Sequence, residues 1–138
     1  MADPTPPMAI TLEWDHALEF TGQAGRHEVS IDGNTAAAPS PMQYLALAVT
    51  SCMAIDIVHI LQRGRYQVKS LRASFSGERS AAEPRRFTAV SLHFTVGTDA
   101  GSPQVERAIQ LSREKYCSVM TSLREDIAVE IGHSLEQP

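Results

Sequence analysis

The apolar residues of this chain switch between a period of two and a period of three to four, and each switch marks an element. From Met8 to Gly22 they alternate, with Ile10, Leu12 and Trp14 on one face, which predicts an imperfect strand with a turn at Asp15 and His16. Residues 26 to 33 alternate again, Val29 and Ile31 sharing a face with His27, and end on the turn signal Asp32-Gly33. Together the two segments predict a hairpin or meander. The period then lengthens. From Ser40 to Gly64, SPMQYLALAVTSCMAIDIVHILQRG, Leu45, Val49, Cys52, Asp56 and His59 or Ile60 recur every three or four residues, with Leu47, Ile55, Val58 and Leu61 on the other sides. Ser40 suits the cap, Pro41 suits the first helical position, and no helix breaker comes before Gly64. The stretch therefore predicts a helix of about 30 Å at 1.5 Å per residue, covered on most of its surface.

Alternation returns in Tyr66 to Glu78 and again in Arg86 to Gly97, where Val90, Leu92, Phe94 and Val96 occupy one phase. These two segments predict an antiparallel pair. Ser102 and Pro103 then open a second helix, with Val105, Ala108, Ile109, Ser112 and Tyr116 as its inward stripe. Cys117 falls at its end or at the start of a short third helix. Residues 126 to 133 close the chain as a strand with Ile127, Val129 and Ile131 on one face. The order of strands, long helix, strands, helices and strand describes an α+β fold. Residues 1 to 8 read as a loose arm and residues 9 to 138 as one domain.

Composition narrows the function classes. A formal net charge of −4 gives no basic surface for nucleic acid. Asp56, His59, Gln43 and Thr50 within the long helix speak against a membrane span. The opening MADPTPPMAI, with an acid and three prolines, does not resemble a secretory signal, so a cytoplasmic location is expected. In that reducing compartment the two cysteines, Cys52 and Cys117, are either packed thiols or a transient redox pair. No CxxC or HExxH spacing is present and the five histidines are scattered, so no metal site is expected. The histidines fit solvent-edge or hydrogen-bonded positions.

A thiol acts as a nucleophile when it is thiolate, which needs a nearby cation or aligned donors. Cys52 lies mid-helix, where backbone N–H groups are already used, so its partner must come from elsewhere; Arg26, Arg85 and Arg86 are the candidates. Asp56, one turn on, opposes deprotonation, positions an arginine, or serves as a structural paired acid. Near a helix start, Cys117 would meet unpaired N–H groups. A sulfenic acid formed on one cysteine is resolved to a disulfide by a second thiol within reach.

Three blocks, SPMQYLALAVTSCMAID, ERSAAEPRRFTAVSLHF and AIQLSREKYCSV, resemble the OsmC/Ohr family of osmotically inducible and organic hydroperoxide resistance proteins, in its OsmC-like branch. The resemblance implies an intertwined homodimer with a long central helix against antiparallel sheet, and sites at the subunit interface. It implies reduction of organic hydroperoxides with neither metal nor bound cofactor. Cys52 would attack the peroxide, Cys117 would form the disulfide, and a dithiol such as a lipoylated protein would reduce it. Arg26 is the counterpart of the family's arginine. Gln43 stands where active members carry a glutamate that pairs with that arginine; it accepts a hydrogen bond but brings no charge. Glu28 would substitute for it if the strand brings it inward. The alternative is a noncatalytic binding or stress-associated dimer that uses the interface pocket for a small apolar or electrophilic ligand.

Overall fold

The structure, a computed structural model, describes residues 5–136. Half of the expected N-terminal arm lies outside the described residues, and residues 5–9 have no regular structure and are exposed. The chain divides into two compact units, the first ending at Leu45 and the second starting at Ala46.

The first unit is a three-stranded antiparallel meander, β1 (Ile10–His16), β2 (Glu19–Ala24) and β3 (His27–Asp32), in that spatial order. The segment expected as one strand thus holds two. The turn falls at Ala17-Leu18, two residues later than expected, with Ala17 at a φ of 49° and the Trp14 indole donating to its carbonyl at 2.9 Å. Neither turn residue is one of the usual turn formers, so nothing in the composition marks the spot.

After β3 the chain is organised by a buried carboxylate. Asp32 accepts the backbone N–H groups of Asn34, Ala36 and Ala37 at 2.8, 3.1 and 2.9 Å. The Ala37 N–H, followed by that of Asn34, holds its carboxyl below the usual range. This loop delivers the chain to α1 (Pro41–Arg63). Ser40 and Gln43 cap α1 reciprocally: the Gln43 N–H donates to Ser40 Oγ at 3.2 Å and the Ser40 N–H to Gln43 Oε1 at 3.0 Å. The helix stops after Arg63, as expected, but the left-handed residue is Arg65 at a φ of 69° and not Gly64. The Tyr66 N–H reaches the Leu61 carbonyl and the Arg65 N–H that of Gln62, which closes the last turn in Schellman fashion.

The second unit pairs β4 (Val68–Arg79), β5 (Phe87–Thr98) and β6 (Ala128–Glu136) with β5 in the middle, antiparallel to β4 and parallel to β6. The β4–β5 pairing is the one expected from the alternation. A bulge between Val68 and Ser70 explains how Val68 and Leu71, on opposite phases of an ideal strand, both pack against the core. One phase of β5, Val90, Leu92, Phe94 and Val96, is buried, while Ser91 and His93 on the other are exposed. Met53, Ile57 and Leu61 of α1 join these residues in a single core cluster, together with Val105, Ala108 and Ile109 of α2 (Ser102–Leu111).

Two expectations about the helices are corrected. By length and composition α1 could cross a membrane, and it is apolar nearly all round, yet its own unit covers one side only. Leu47 and Ile55 are 57% and 67% exposed, because a single sheet reaches a single face of a helix. In α2 the residue preceding the helix is Gly101, with no side-chain cap; Ser102 is already helical, and its hydroxyl pairs with His133 Nε2 at 2.8 Å.

Phe94, fully buried at the centre of β5, is the largest side chain of this core. Phe94→Ala is expected to cost about 3–5 kcal/mol in unfolding free energy, read as a lowered urea midpoint.

Candidate functional site

The site is made where the second helix loses its regular winding. After Leu111 the chain runs as one π turn, Ser112–Tyr116, closed by the Cys117 N–H donating to the Ser112 carbonyl at 2.8 Å, five residues back. An extra residue in the turn rotates the next side chains about the helix axis. Tyr116, expected on the inward stripe, is 51% exposed, and Cys117 is fully buried in its place. Ser112 stays inward, also fully buried. A short α3 (Ser118–Thr121) begins immediately, with Cys117 as its cap residue: the Met120 N–H donates to Cys117 Sγ at 3.3 Å. Of the two positions expected for Cys117, the start of a third helix is the one adopted.

This turn meets the flank of α1. Cys52 and Asp56, one helical turn apart, are half-buried beside the buried row of Val49, Met53 and Ile57. Cys52 Sγ, Cys117 Sγ and a carboxylate oxygen of Asp56 all lie within 4.8 Å of one another. The Ser112 hydroxyl donates to Asp56 Oδ2 at 2.7 Å and fixes the carboxylate beside the sulfurs. Both cysteines are free thiols. A disulfide needs about 2.05 Å between sulfurs, so the pair is open, with its sulfurs no more than 4.8 Å apart.

Burial pushes the Cys117 thiol from its ordinary 9.0 up to about 11; the Met120 N–H works in the opposite direction, and the Cys52 thiol and Asp56 carboxylate add to the rise. Cys117 is therefore a protonated thiol at neutral pH. Cys52 is the more exposed of the two. This asymmetry suits one sulfur that meets a reagent and another that waits behind it.

The remaining expected residues fall in different places. Arg26 lies in the turn between β2 and β3, next to Gly25 with its φ of 62°, and Gln43 at the start of α1 holds the capping box; both belong to the first unit. Gln43 Oε1 keeps a second lone pair beyond the bond from Ser40. Glu28 is exposed on β3. Arg86 has an acid of its own, Asp126, at 3.6 Å, and also donates to the Phe87 carbonyl. Within the second unit the partner of Asp56 is Ser112, and no described arginine of that unit forms an ion pair with it. The histidines take hydrogen-bonded or edge positions: His16 pairs with Glu19, His93 with Ser134 and His133 with Ser102, while His27 and His59 are exposed. A cleft of about 450 Å³ lined by Asp56, His59, Ile60, Arg63, Leu111 and Tyr116 shares Asp56 with the cluster.

Sequence reasoning missed Ser112 as the residue that holds Asp56, and with it the three-donor grouping. The signal available was the helical spacing, which places Ser112 inward but puts Tyr116, not Cys117, next.

In Cys52→Ser protein the sole remaining thiol, Cys117, keeps its burial. Its alkylation by a small neutral reagent is expected to be slow at pH 7 and to rise about tenfold per pH unit up to about pH 9.5 without a plateau, because thiolate increases with pH until the pKa is reached. A plateau below about pH 9 would contradict the burial argument.

The model of the OsmC-like protein family matches residues 32–132. Protein YhfA of Escherichia coli K12 is 43% identical over 132 residues, covering 94% of this chain and 97% of the relative. The crystal structure of a hypothetical protein from Aquifex aeolicus superposes with a TM-score of 0.89 at 23% identity, covering 97% of this chain and 99% of the other. An organic hydroperoxide resistance protein from Legionella pneumophila shares the fold at a TM-score of 0.72 and 14% identity, with 96% and 99% covered. With most of its length matched by the family model and a full-length relative at 43% identity, the chain belongs to the OsmC/Ohr family.

Proposed function

We propose that the protein is a thiol peroxidase that reduces organic hydroperoxides, with Cys52 as the attacking and Cys117 as the resolving cysteine. The observation that carries this reading is the approach of the two sulfurs and the Asp56 carboxylate to within 4.8 Å. The Legionella relative, named for organic hydroperoxide resistance, supplies the substrate class.

In the first step the Cys52 thiolate attacks the terminal oxygen of the hydroperoxide. The S–O bond forms, the O–O bond breaks, and the alkoxide leaves as an alcohol after taking a proton. Cys117 then attacks the Cys52 sulfur; the S–S bond forms, the S–O bond breaks, and the hydroxyl leaves as water. Because Cys117 is protonated, the second step must remove its proton, and the Asp56 carboxylate held by Ser112 is the base within reach. An external dithiol, such as a lipoylated protein of the cytoplasm, restores both thiols by exchange. Arg26 is the cation proposed to favour the Cys52 thiolate, with Gln43 as its neutral neighbour.

The active form is a homodimer in this proposal. Ile10, Leu12, Trp14 and Val29 on the first unit and Leu47 and Ile55 on α1 are large apolar side chains between 40% and 67% exposed in the single chain. A second copy would take them out of water. A specific observation also favours the rival reading, a noncatalytic dimer that holds a small apolar or electrophilic ligand: Gln43 carries no charge, and its amide is engaged by Ser40.

The two readings separate by turnover. Reduced protein supplied with a dithiol is expected to consume cumene hydroperoxide, with Cys52→Ser lowering the rate at least a hundredfold and Cys117→Ser sparing the first oxidation but preventing dithiol-driven turnover. Sedimentation at micromolar concentration is expected to show a dimer. Ligand binding that survives in Cys52→Ser, with no turnover by the wild type, would favour the noncatalytic reading.

A further inference from the structure

Two sulfurs and one carboxylate within 4.8 Å of one another are also a donor set. Zinc takes thiolate at about 2.3 Å and carboxylate at about 2.0–2.2 Å in a tetrahedral arrangement, so its donors stand roughly 3.5–3.8 Å apart. No side of the triangle of Cys52, Asp56 and Cys117 exceeds 4.8 Å, so closing on the cation asks for at most about 1.3 Å of contraction along any side. Two soft sulfurs select zinc or cadmium over magnesium or calcium.

The surroundings support each donor. Ser112 Oγ donates to Asp56 Oδ2 at 2.7 Å and fixes the carboxylate, as outer-shell partners of metal ligands do. The Met120 N–H donates to Cys117 Sγ at 3.3 Å, a bond that persists when the sulfur is a metal-bound thiolate. Cys117 closes the inner side of the triangle, fully buried, while half-buried Cys52 and Asp56 leave an approach from outside. A fourth, open position would be taken by water, as in zinc sites with three protein ligands.

We propose that Cys52, Asp56 and Cys117 in the reduced protein form a three-donor site for a soft divalent cation, Zn²⁺. The same sulfurs serve peroxide chemistry, so the two uses exclude one another. Oxidation of the zinc-bound pair by one organic hydroperoxide, with uptake of two protons, yields the disulfide, one alcohol, one water and the freed cation. The electrons come from the two thiolates and go to the O–O bond. The site thereby couples cation release to oxidation.

The test uses reduced full-length protein and Cd²⁺ as the probe, read by the ultraviolet cadmium–thiolate charge-transfer band, with Zn²⁺ added as competitor. One Cd²⁺ per chain is expected, displaced by Zn²⁺, and absent once the Cys52–Cys117 disulfide has been made. Asp56→Asn, which keeps its shape and an acceptor for Ser112, is expected to retain the band but bind at least tenfold more weakly. A band that persists in the disulfide form, or in either Cys→Ser variant at unchanged affinity, would overturn the site; unchanged affinity in Asp56→Asn would remove the third donor. None of these readouts depends on peroxide turnover.

Discussion

One hydrogen bond, from the Cys117 N–H to the Ser112 carbonyl, closes the turn that sets Cys117 beside Cys52 and Asp56. Had α2 continued with ordinary winding, its inward position after Ser112 would have gone to Tyr116. The π turn places Cys117 there instead, keeps Ser112 inward against Asp56, and starts α3 so that the Met120 N–H meets the sulfur. Two cysteines far apart in the chain become neighbours through the placement of one extra residue in a turn. A π turn leaves the regular helical ladder at some cost, and such turns persist at functional sites where the displaced side chain is what matters.

Burial and charge set Cys117 apart within the cluster. Burial raises the Cys117 thiol most, and the neighbouring Cys52 thiol and Asp56 carboxylate reinforce that. A free thiolate in that position would face both a dry environment and a negative group. It becomes useful only when a partner arrives that accepts its electrons, whether a sulfenic acid on Cys52 or a cation between the donors. Asp56 has opposite effects in the two proposed uses: it disfavours ionisation of Cys117 at rest, yet it would be the base for resolution and a ligand for a cation. Ser112 holds Asp56 by one carboxylate oxygen.

Much of the scaffold was legible in the residues. The alternation from Arg86 to Gly97 identified the strand at the centre of the second sheet and the phase that fills the core, and the run from Pro41 to Arg63 announced its own length. The errors occur where a local irregularity breaks the period. Ala17 turns the chain at positive φ without a turn former, the bulge near Lys69 changes the phase of β4, and Arg65 takes the left-handed position beside an available glycine. In the candidate site the two cysteines were named from the sequence, but helical spacing carried the inward stripe past Ser112 to Tyr116 and hid what holds Asp56. Gln43 is a different case. Ser-x-x-Gln before an apolar run is a capping-box signature, and Gln43 makes both bonds of that box with Ser40, one through its amide oxygen and one through its backbone N–H.

Whether Cys52 and Cys117 act as one redox pair is tested most directly by adding a single equivalent of cumene hydroperoxide to fully reduced protein and following the intact mass and the peptide map. The expected product is lighter by two hydrogens, with Cys52 and Cys117 joined within one chain and no oxygen retained. A product that gains one or more oxygens on Cys52 while Cys117 stays free would contradict the pairing.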